Sequence, residues 1–293
     1  MRVPICRLES FVLLAALLMA VGCSGGALSD RRRPSEPGDL ALDFVASDNY
    51  PALLVEVDYV QGFGPSAAAL ARFQEVLARR LSKPRGVDVL VDEEIPACLG
   101  RSTWQIGDIL AIEERFRSNR TGDERNRERA VLWIVYLDGS SESDRGRTRT
   151  LGLAFDGAGV AIFHENLERA TVRLTRDVVE TIVLLHEGGH LFGLVNNGLP
   201  MAFGHEDALH PRHDANSGCV MHYRIPTGDL ELLVTDPPLD YDYPCQLDLF
   251  AAGGPEPDDP DGALAAVPPP AADWPGPEGP RGPALDQTEL LER

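Results

Sequence analysis

The stretch that decides the fold spans residues 52–91 and runs ALLVEVDYVQGFGPSAAALARFQEVLARRLSKPRGVDVLV. Its two ends, Ala52–Val60 and residues 87–91, are rich in Val and Leu, which is typical of buried strands. Between them, residues 66–81 carry apolar side chains at helical spacing. A strand, a helix and a second strand in this order predict a parallel β-α-β unit and an α/β fold class.

The sequence that follows continues the alternation of helix and strand. We predict a helix over Ile106–Phe116 and strands over residues 130–137, 151–155 and 160–163. Asp156 and the glycines beside it join the last two strands, which favours a hairpin. A further helix comes next, and it contains the candidate metal ligands.

That helix is predicted over residues 177–194, which run DVVETIVLLHEGGHLFGL. Residues four apart lie on one face of a helix, so the imidazoles of His186 and His190 reach the same metal ion. Glu187 is near enough to take a proton from a water that attacks a peptide carbonyl. The pattern His-Glu-x-x-His predicts a Zn²⁺ site with Glu187 as general base. The alternative, two packed histidines without a metal, leaves them without evident polar partners on an apolar helix.

A catalytic zinc site also needs a third protein ligand and one open position. Among the histidines that follow the predicted helix, three are available to supply it, namely His205, His210 and His213. Each of them is a candidate for the third ligand. His205, with the acids beside it, is also a candidate for a supporting cluster, a second cation site or a solvated loop.

The neighbourhood of the motif resembles the metzincin zinc peptidases. Gly193 lies three residues after His190, as in the metzincin pattern His-Glu-x-x-His-x-x-Gly-x-x-His, although Asn196 stands at the last position. From His213 the chain runs HDANSGCVM, which resembles the archaemetzincin pattern His-Cys-x4-Cys-x-Met with Asp214 in place of the first cysteine. The resemblance implies that His213 is the third zinc ligand, after an insertion of residues 196–212.

The same resemblance implies roles for nearby residues. Met221 would be the methionine of the Met-turn, an apolar floor beneath the metal. The segment CVMHY is similar to the Met-turn of astacins, which implies that Tyr223 stabilises the developing oxyanion as a second catalytic residue. Residues 160–163 sit where metzincins keep an edge strand that pairs with an extended substrate.

The resemblance to metzincins implies both a fold and a function. We expect a mixed, mostly parallel twisted sheet with an active-site helix and a small irregular C-terminal subdomain. The expected function is that of a zinc-dependent endopeptidase. The alternative is a zinc-binding or peptide-binding envelope lipoprotein without catalysis.

The N-terminus predicts export. Arg2 and Arg7 precede an apolar run over residues 11–21 that is too short to span a bilayer and is typical of a signal peptide. The small residues before Cys23 resemble a bacterial lipobox, which implies lipidation of Cys23 and anchoring to the cell envelope. Ser24 after that cysteine favours the outer membrane.

The chain is therefore divided into a signal peptide (residues 1–23), a flexible tether (24–40), a zinc peptidase domain (41–252) and a disordered tail (253–293). The tether and the tail are rich in Gly, Pro and charged residues, a composition that does not support a packed core.

The charge of the chain indicates the class of its partners, and its cysteines indicate a disulfide. Asp and Glu outnumber Lys and Arg by 46 to 27, which argues against a nucleic-acid partner and leaves a peptide or protein substrate, with membrane contact through the lipid anchor only. Three cysteines follow the export segment, Cys98, Cys219 and Cys245, and these allow one disulfide. We expect it between Cys219 and Cys245, where it would staple the end of the catalytic region.

Overall fold

The structure, a computed structural model, describes residues 35–258. In chain order its elements are α1 (Ala41–Val45), β1 (Ala52–Val60), α2 (Ala67–Arg80), β2 (Val87–Ile95), a 3-10 helix (Ala97–Leu99), β3 (Thr103–Trp104), α3 (Ile106–Phe116), a second 3-10 helix (Glu124–Asn126), β4 (Arg129–Leu137), β5 (Ser140–Ser141), β6 (Gly152–Phe155), β7 (Gly159–Phe163), α4 (His164–Ala170), α5 (Arg176–Leu191), α6 (Leu230–Thr235) and α7 (Tyr243–Ala251). Among the described helices, none has the length and apolar character needed to cross a membrane.

One mixed sheet organises the molecule, in the strand order β2-β1-β4-β7-β6. The pairs β1 with β2, β1 with β4, and β4 with β7 are parallel, and only β6 runs antiparallel to its neighbour. The predicted β-α-β unit and the mixed, mostly parallel sheet are therefore confirmed. The short strands β3 and β5 pair separately from this sheet.

Helix α2 shows how the local sequence sets an element. Ser66 caps the helix, since its hydroxyl accepts a hydrogen bond from the Ala69 N–H at 3.3 Å. The helix then buries Leu70, Phe73 and Leu77 at helical spacing. This apolar face packs against the sheet and against α5.

Both faces of the central strand β4 are buried, as in parallel sheets covered by helices. Leu132 and Ile134 belong to the larger core, which α2 and α5 share. Trp133 and Val135 face the smaller core, which contains apolar residues of α3. Helix α5, which carries His186 and His190, therefore packs on one face of this sheet.

The expectation that residues 160–163 form an edge strand is wrong. β7 lies between β4 and β6, so β6 is the edge strand at this end of the sheet. The reason is the hairpin turn, where Asp156 and Gly157 both have positive φ, 45° and 66°, as in the tight turns that favour antiparallel pairing. The turn folds β6 against the free side of β7.

The ends of the described chain pack on the domain. Residues 253–258 fall in the predicted tail, yet the Gly254 N–H donates to the Leu249 carbonyl at 2.8 Å and Asp258 forms an ion pair with Arg80. The predicted signal peptide, Cys23 and most of the predicted tether and tail lie outside the described residues.

Candidate metal centre

Helix α5 supplies the first part of the site. Its apolar residues are buried against the sheet, and its C-terminal turns place His186 and His190 one helical turn apart. Their Nε2 atoms are 3.2 Å apart, and the ring centroids are 4.8 Å apart. The two imidazoles therefore point to one place.

His213 completes a cluster of three imidazoles. Its ring centroid lies 5.2 Å from that of His186 and 5.1 Å from that of His190. One possible ligand atom from each residue lies within 4.8 Å of those of the other two. The chain leaves α5 through Gly193, whose φ of 80° is readily adopted only by glycine. We call His186, His190 and His213 the histidine triad.

The other two candidate ligands are engaged elsewhere. His205 bonds to two carboxylates, and the Nδ1 atom of His210 lies 2.8 Å from Asp207 Oδ2. The structure therefore brings His213, and neither His205 nor His210, next to the helical pair.

The triad fits a zinc ion by its donor atoms. The Nδ1 atom of His186 lies 2.9 Å from the Val220 carbonyl, and that of His213 lies 3.0 Å from the Pro211 carbonyl. Both imidazoles can therefore donate a hydrogen bond from Nδ1 and keep a lone pair on Nε2 for a metal ion. Zinc to nitrogen bonds of about 2.0–2.1 Å in a tetrahedron separate the nitrogens by about 3.3 Å. The observed spacing of 3.2 Å between the Nε2 atoms of the α5 pair matches this value.

The protonation state of the triad also suits a metal. Burial, with the neighbouring imidazoles, lowers the pKa of His186 to about 3 and that of His213 to about 4. The same causes hold the pKa of His190 well below its ordinary value. A metal-ligating imidazole must be neutral, so the three side chains meet this condition at physiological pH.

Glu187 is held at the edge of the sheet. Its Oε2 accepts a hydrogen bond from the backbone N–H of Ala154 in β6 at 2.9 Å. A Cβ atom at Gly152 would lie 2.6 Å from Glu187 Cγ and 2.7 Å from Val183 Cγ1, so this position needs glycine. Burial raises the pKa of Glu187 to about 8, although the hydrogen bond from Ala154 opposes the rise. A cation on the triad would favour the carboxylate.

Met221 lies beneath α5 and is fully buried. Any side chain at Gly189 would overlap the Met221 sulfur, which explains a glycine in the middle of a helix. The hydroxyl of Tyr241 donates to the Leu185 carbonyl at 2.8 Å and closes this layer. Met221 is thus part of the apolar layer under helix α5.

Tyr223 lies beside the site on a stack of rings. Its ring is parallel to that of His210, with centroids 3.6 Å apart and planes at 4°. The ring centroid of His222 lies 4.6 Å from that of Tyr223, and the planes of these two rings are tilted by 48°. Both histidines are close enough to His213 to lower its pKa. The proposed oxyanion role of Tyr223 stays a prediction.

His205 ties the loop of His213 to helix α7. Its Nδ1 lies 2.6 Å from Asp214 Oδ2 and its Nε2 lies 2.9 Å from Asp248 Oδ2. Burial alone would lower the pKa of His205, but the hydrogen bonds with both aspartates raise it to about 10. His205 is therefore an imidazolium between two buried carboxylates, one of which directly follows His213.

The expected disulfide between Cys219 and Cys245 is absent, because both are free thiols. Their Sγ atoms are 3.7 Å apart, which is too far for a disulfide bond of about 2.05 Å. The two residues are neighbours, as expected, but they meet as buried thiols. Burial raises the pKa of both, which makes them poor nucleophiles.

Sequence reasoning missed two contributors to the site, Gly152 and Ala154. A glycine inside a strand is a recognised sign of close approach, and Gly152 carries that sign. Ala154 contributes only its backbone N–H, which no side-chain pattern reveals.

The comparisons with known proteins add little to this geometry. No protein-family model matches the sequence, and no curated protein is similar to it. Among solved structures, the chain is similar to archaemetzincin from Methanopyrus kandleri, with 17% sequence identity and a TM-score of 0.44. The match covers 69% of this chain and 96% of that chain.

Proposed function

We propose that the chain is a zinc-dependent endopeptidase of the metzincin type. The observation that carries the proposal is the histidine triad, three neutral imidazoles brought together beside the carboxyl of Glu187. Three protein ligands with an adjacent acid are the composition of a hydrolytic zinc site, whereas a structural zinc site is closed by four protein ligands.

His186, His190 and His213 would hold the zinc, which when bound polarises the scissile carbonyl and lowers the pKa of water. Glu187 accepts a proton from the attacking water and passes it to the leaving amine. Its neighbour Ala154 keeps the carboxyl in place from the backbone, so the base does not depend on another side chain for its position.

The edge strand β6 is the place where an extended peptide would bind. An edge strand presents unpaired backbone donors and acceptors, and a peptide can add to it as a further strand. The Ala154 N–H on this strand already bonds to Glu187, so a peptide on β6 passes directly beside the base. Tyr223 would donate its phenolic proton to the oxyanion that develops on the attacked carbonyl.

The proposal is tested by changing Glu187 to Gln. We expect the variant to bind one zinc ion per chain and to lose peptide hydrolysis, because Gln keeps the shape but cannot accept the proton. Glu114→Gln, an exposed change on α3, is the matched control and should keep full activity. Hydrolysis retained by Glu187→Gln would remove the base assignment, and zinc without any hydrolysis in the wild type would favour the alternative of a binding protein.

The place of the enzyme in the cell is a separate part of the proposal. A lipidated Cys23 would anchor the peptidase to the bacterial envelope, at the outer membrane. Substitution of Cys23 by Ala should move the protein from the membrane fraction to the soluble exported fraction. Unchanged membrane association would contradict the anchor.

A further inference from the structure

A cavity rich in arginine lies next to the candidate metal centre. Its volume is about 570 Å³, and it is formed by the segment before β6, the end of α4 and the loop of residues 224–229. The lining includes four arginines and one acid, and these are Arg147, Arg149, Arg169, Arg224 and Asp229. We call it the arginine cavity.

The arginine cavity adjoins the base and the ring stack. Its lining includes Leu151, which directly precedes Gly152, the residue packed against the side chain of Glu187. On another side, the guanidinium of Arg224 lies over the ring of Tyr223, 5.6 Å from the centroid. The cavity is therefore linked to Glu187 through Gly152 on one side and to the ring of Tyr223 through Arg224 on the other.

Three of the four arginines of the cavity lack an acidic partner that would neutralise them. Within residues 35–258, Arg147, Arg149 and Arg224 form no ion pair, and only Arg169 is paired, with Glu165. The Arg149 guanidinium donates to two backbone carbonyls, and the Nε atom of Arg224 is buried without a hydrogen-bond partner. In a chain with a net charge of -19, carboxylates are abundant, so unpaired arginines around one cavity indicate a site for an external anion.

We propose that the arginine cavity binds a carboxylate of the peptide substrate, and this inference rests on the proposed peptidase function. Guanidinium groups recognise a carboxylate by parallel charge-assisted hydrogen bonds. The carboxylate belongs either to an Asp or Glu side chain near the scissile bond or to the C-terminus of a short peptide. The site thus selects peptides that present a carboxylate, from either source, to the arginine cavity.

The test measures peptide binding to the Glu187→Gln variant, which does not consume the peptide. Four fluorescent octapeptides of Ala and Leu are compared, with Glu or Gln at the centre and with a free or amidated C-terminus. We expect a carboxylate-bearing peptide to bind about tenfold more tightly than the neutral peptide, as for hydrogen bonds to charged groups. The position of the carboxylate that produces this effect identifies its source.

Charge variants locate the effect in the cavity. Arg147→Gln combined with Arg149→Gln should remove the preference, while Arg127→Gln, an exposed arginine outside the cavity lining, should keep it. Asp229→Asn should increase the preference, because it removes the acid of the lining while Asn still caps α6.

Two results would overturn the inference. One is equal or undetectable binding of all four peptides, and the other is a preference that survives in the Arg147→Gln and Arg149→Gln double variant. Hydrolysis by the wild type without discrimination would reject the arginine cavity and leave the peptidase proposal intact. Carboxylate-dependent binding without hydrolysis by the wild type would reject the peptidase proposal and retain the anion site.

Discussion

The carboxyl of Glu187 accepts a hydrogen bond from the backbone N–H of Ala154 at 2.9 Å, which joins helix α5 to the edge strand β6. The contact places the proposed base at the border where an extended peptide would pair with β6. Because the donor is a backbone group, the contact depends on the position of the strand. The strand can come so close only because residue 152 has no side chain.

The first prediction concerns Gly152. A methyl group in Gly152→Ala would displace Glu187 and Val183, so we expect peptide hydrolysis to fall by about 10- to 100-fold, as for other small displacements of catalytic groups. Zinc content should not change. Gly107→Ala, where nothing lies within 4 Å of the new methyl group, is the control for a Gly to Ala change. Equal activity of Gly152→Ala and wild type would show that the close approach is unimportant.

A second prediction distinguishes the two glycines between the histidines of α5. At Gly189 a methyl group would overlap the buried sulfur of Met221, so Gly189→Ala should lower the free energy of unfolding by about 1–3 kcal/mol through overpacking. A methyl group at Gly188 would lie 3.3 Å from its nearest neighbour, a ring atom of Phe192, so the crowding is smaller. The higher helix propensity of Ala, about 1 kcal/mol, offsets the cost of this crowding in Gly188→Ala. Thermal denaturation of both variants measures the difference. A larger loss for Gly188→Ala would contradict the packing of Met221 under the helix.

The third prediction is a pH dependence that belongs to His205. The pKa of this imidazole is about 10 in the folded protein and near 6.5 when unfolded, so its protonated form stabilises the fold fully below about pH 6.5. This contribution is lost as the pH rises towards 10. His205→Ala should therefore lower the free energy of unfolding by about 3–5 kcal/mol at neutral pH, as for a broken buried ion pair, and by much less near pH 10. Denaturant unfolding of both proteins from pH 6 to pH 10 gives the difference, and a constant difference would refute the bridge between Asp214 and Asp248.

The fourth prediction concerns Tyr223. If its hydroxyl stabilises the oxyanion, Tyr223→Phe should lower kcat by about 100-fold, the usual effect of losing one such donor. The ring stack on His210 is kept by Phe, so stability and zinc content should stay the same. Tyr59→Phe, which removes an exposed hydroxyl bonded to Glu94, is the matched control. An unchanged kcat would leave Tyr223 as a packing residue.

Local patterns in the sequence predicted the longer strands and helices up to α5, whereas the elements α1, β3, β5, α4, α6 and α7 were not predicted. β1 and α3 begin and end where the apolar periodicity placed them, because their buried faces are continuous. β2 extends to Ile95, four residues beyond the predicted end, because its last part is exposed and carries acids. Asp58 holds that extension by accepting a hydrogen bond from the Glu93 N–H at 2.9 Å, a long-range contact without a local signal.

Nonlocal pairing marks the limit of what the sequence could predict. The hairpin of β6 and β7 was predicted, but which of its strands takes the edge depends on pairing with β4, far away in the chain. The partners of His205 show the same limit, since Asp248 lies 43 residues further on. By contrast, the α5 histidines were predictable because their spacing is a property of one helix.

The central claim is that His186, His190 and His213 hold one zinc ion, and zinc stoichiometry tests it most directly. Metal analysis of purified protein should give one zinc per chain in the wild type and in the His205→Ala and His210→Ala variants, provided that these variants are folded. His213→Ala should lose the metal while its fold is kept. Zinc retained by His213→Ala, or a folded wild type that binds no zinc, would contradict the account.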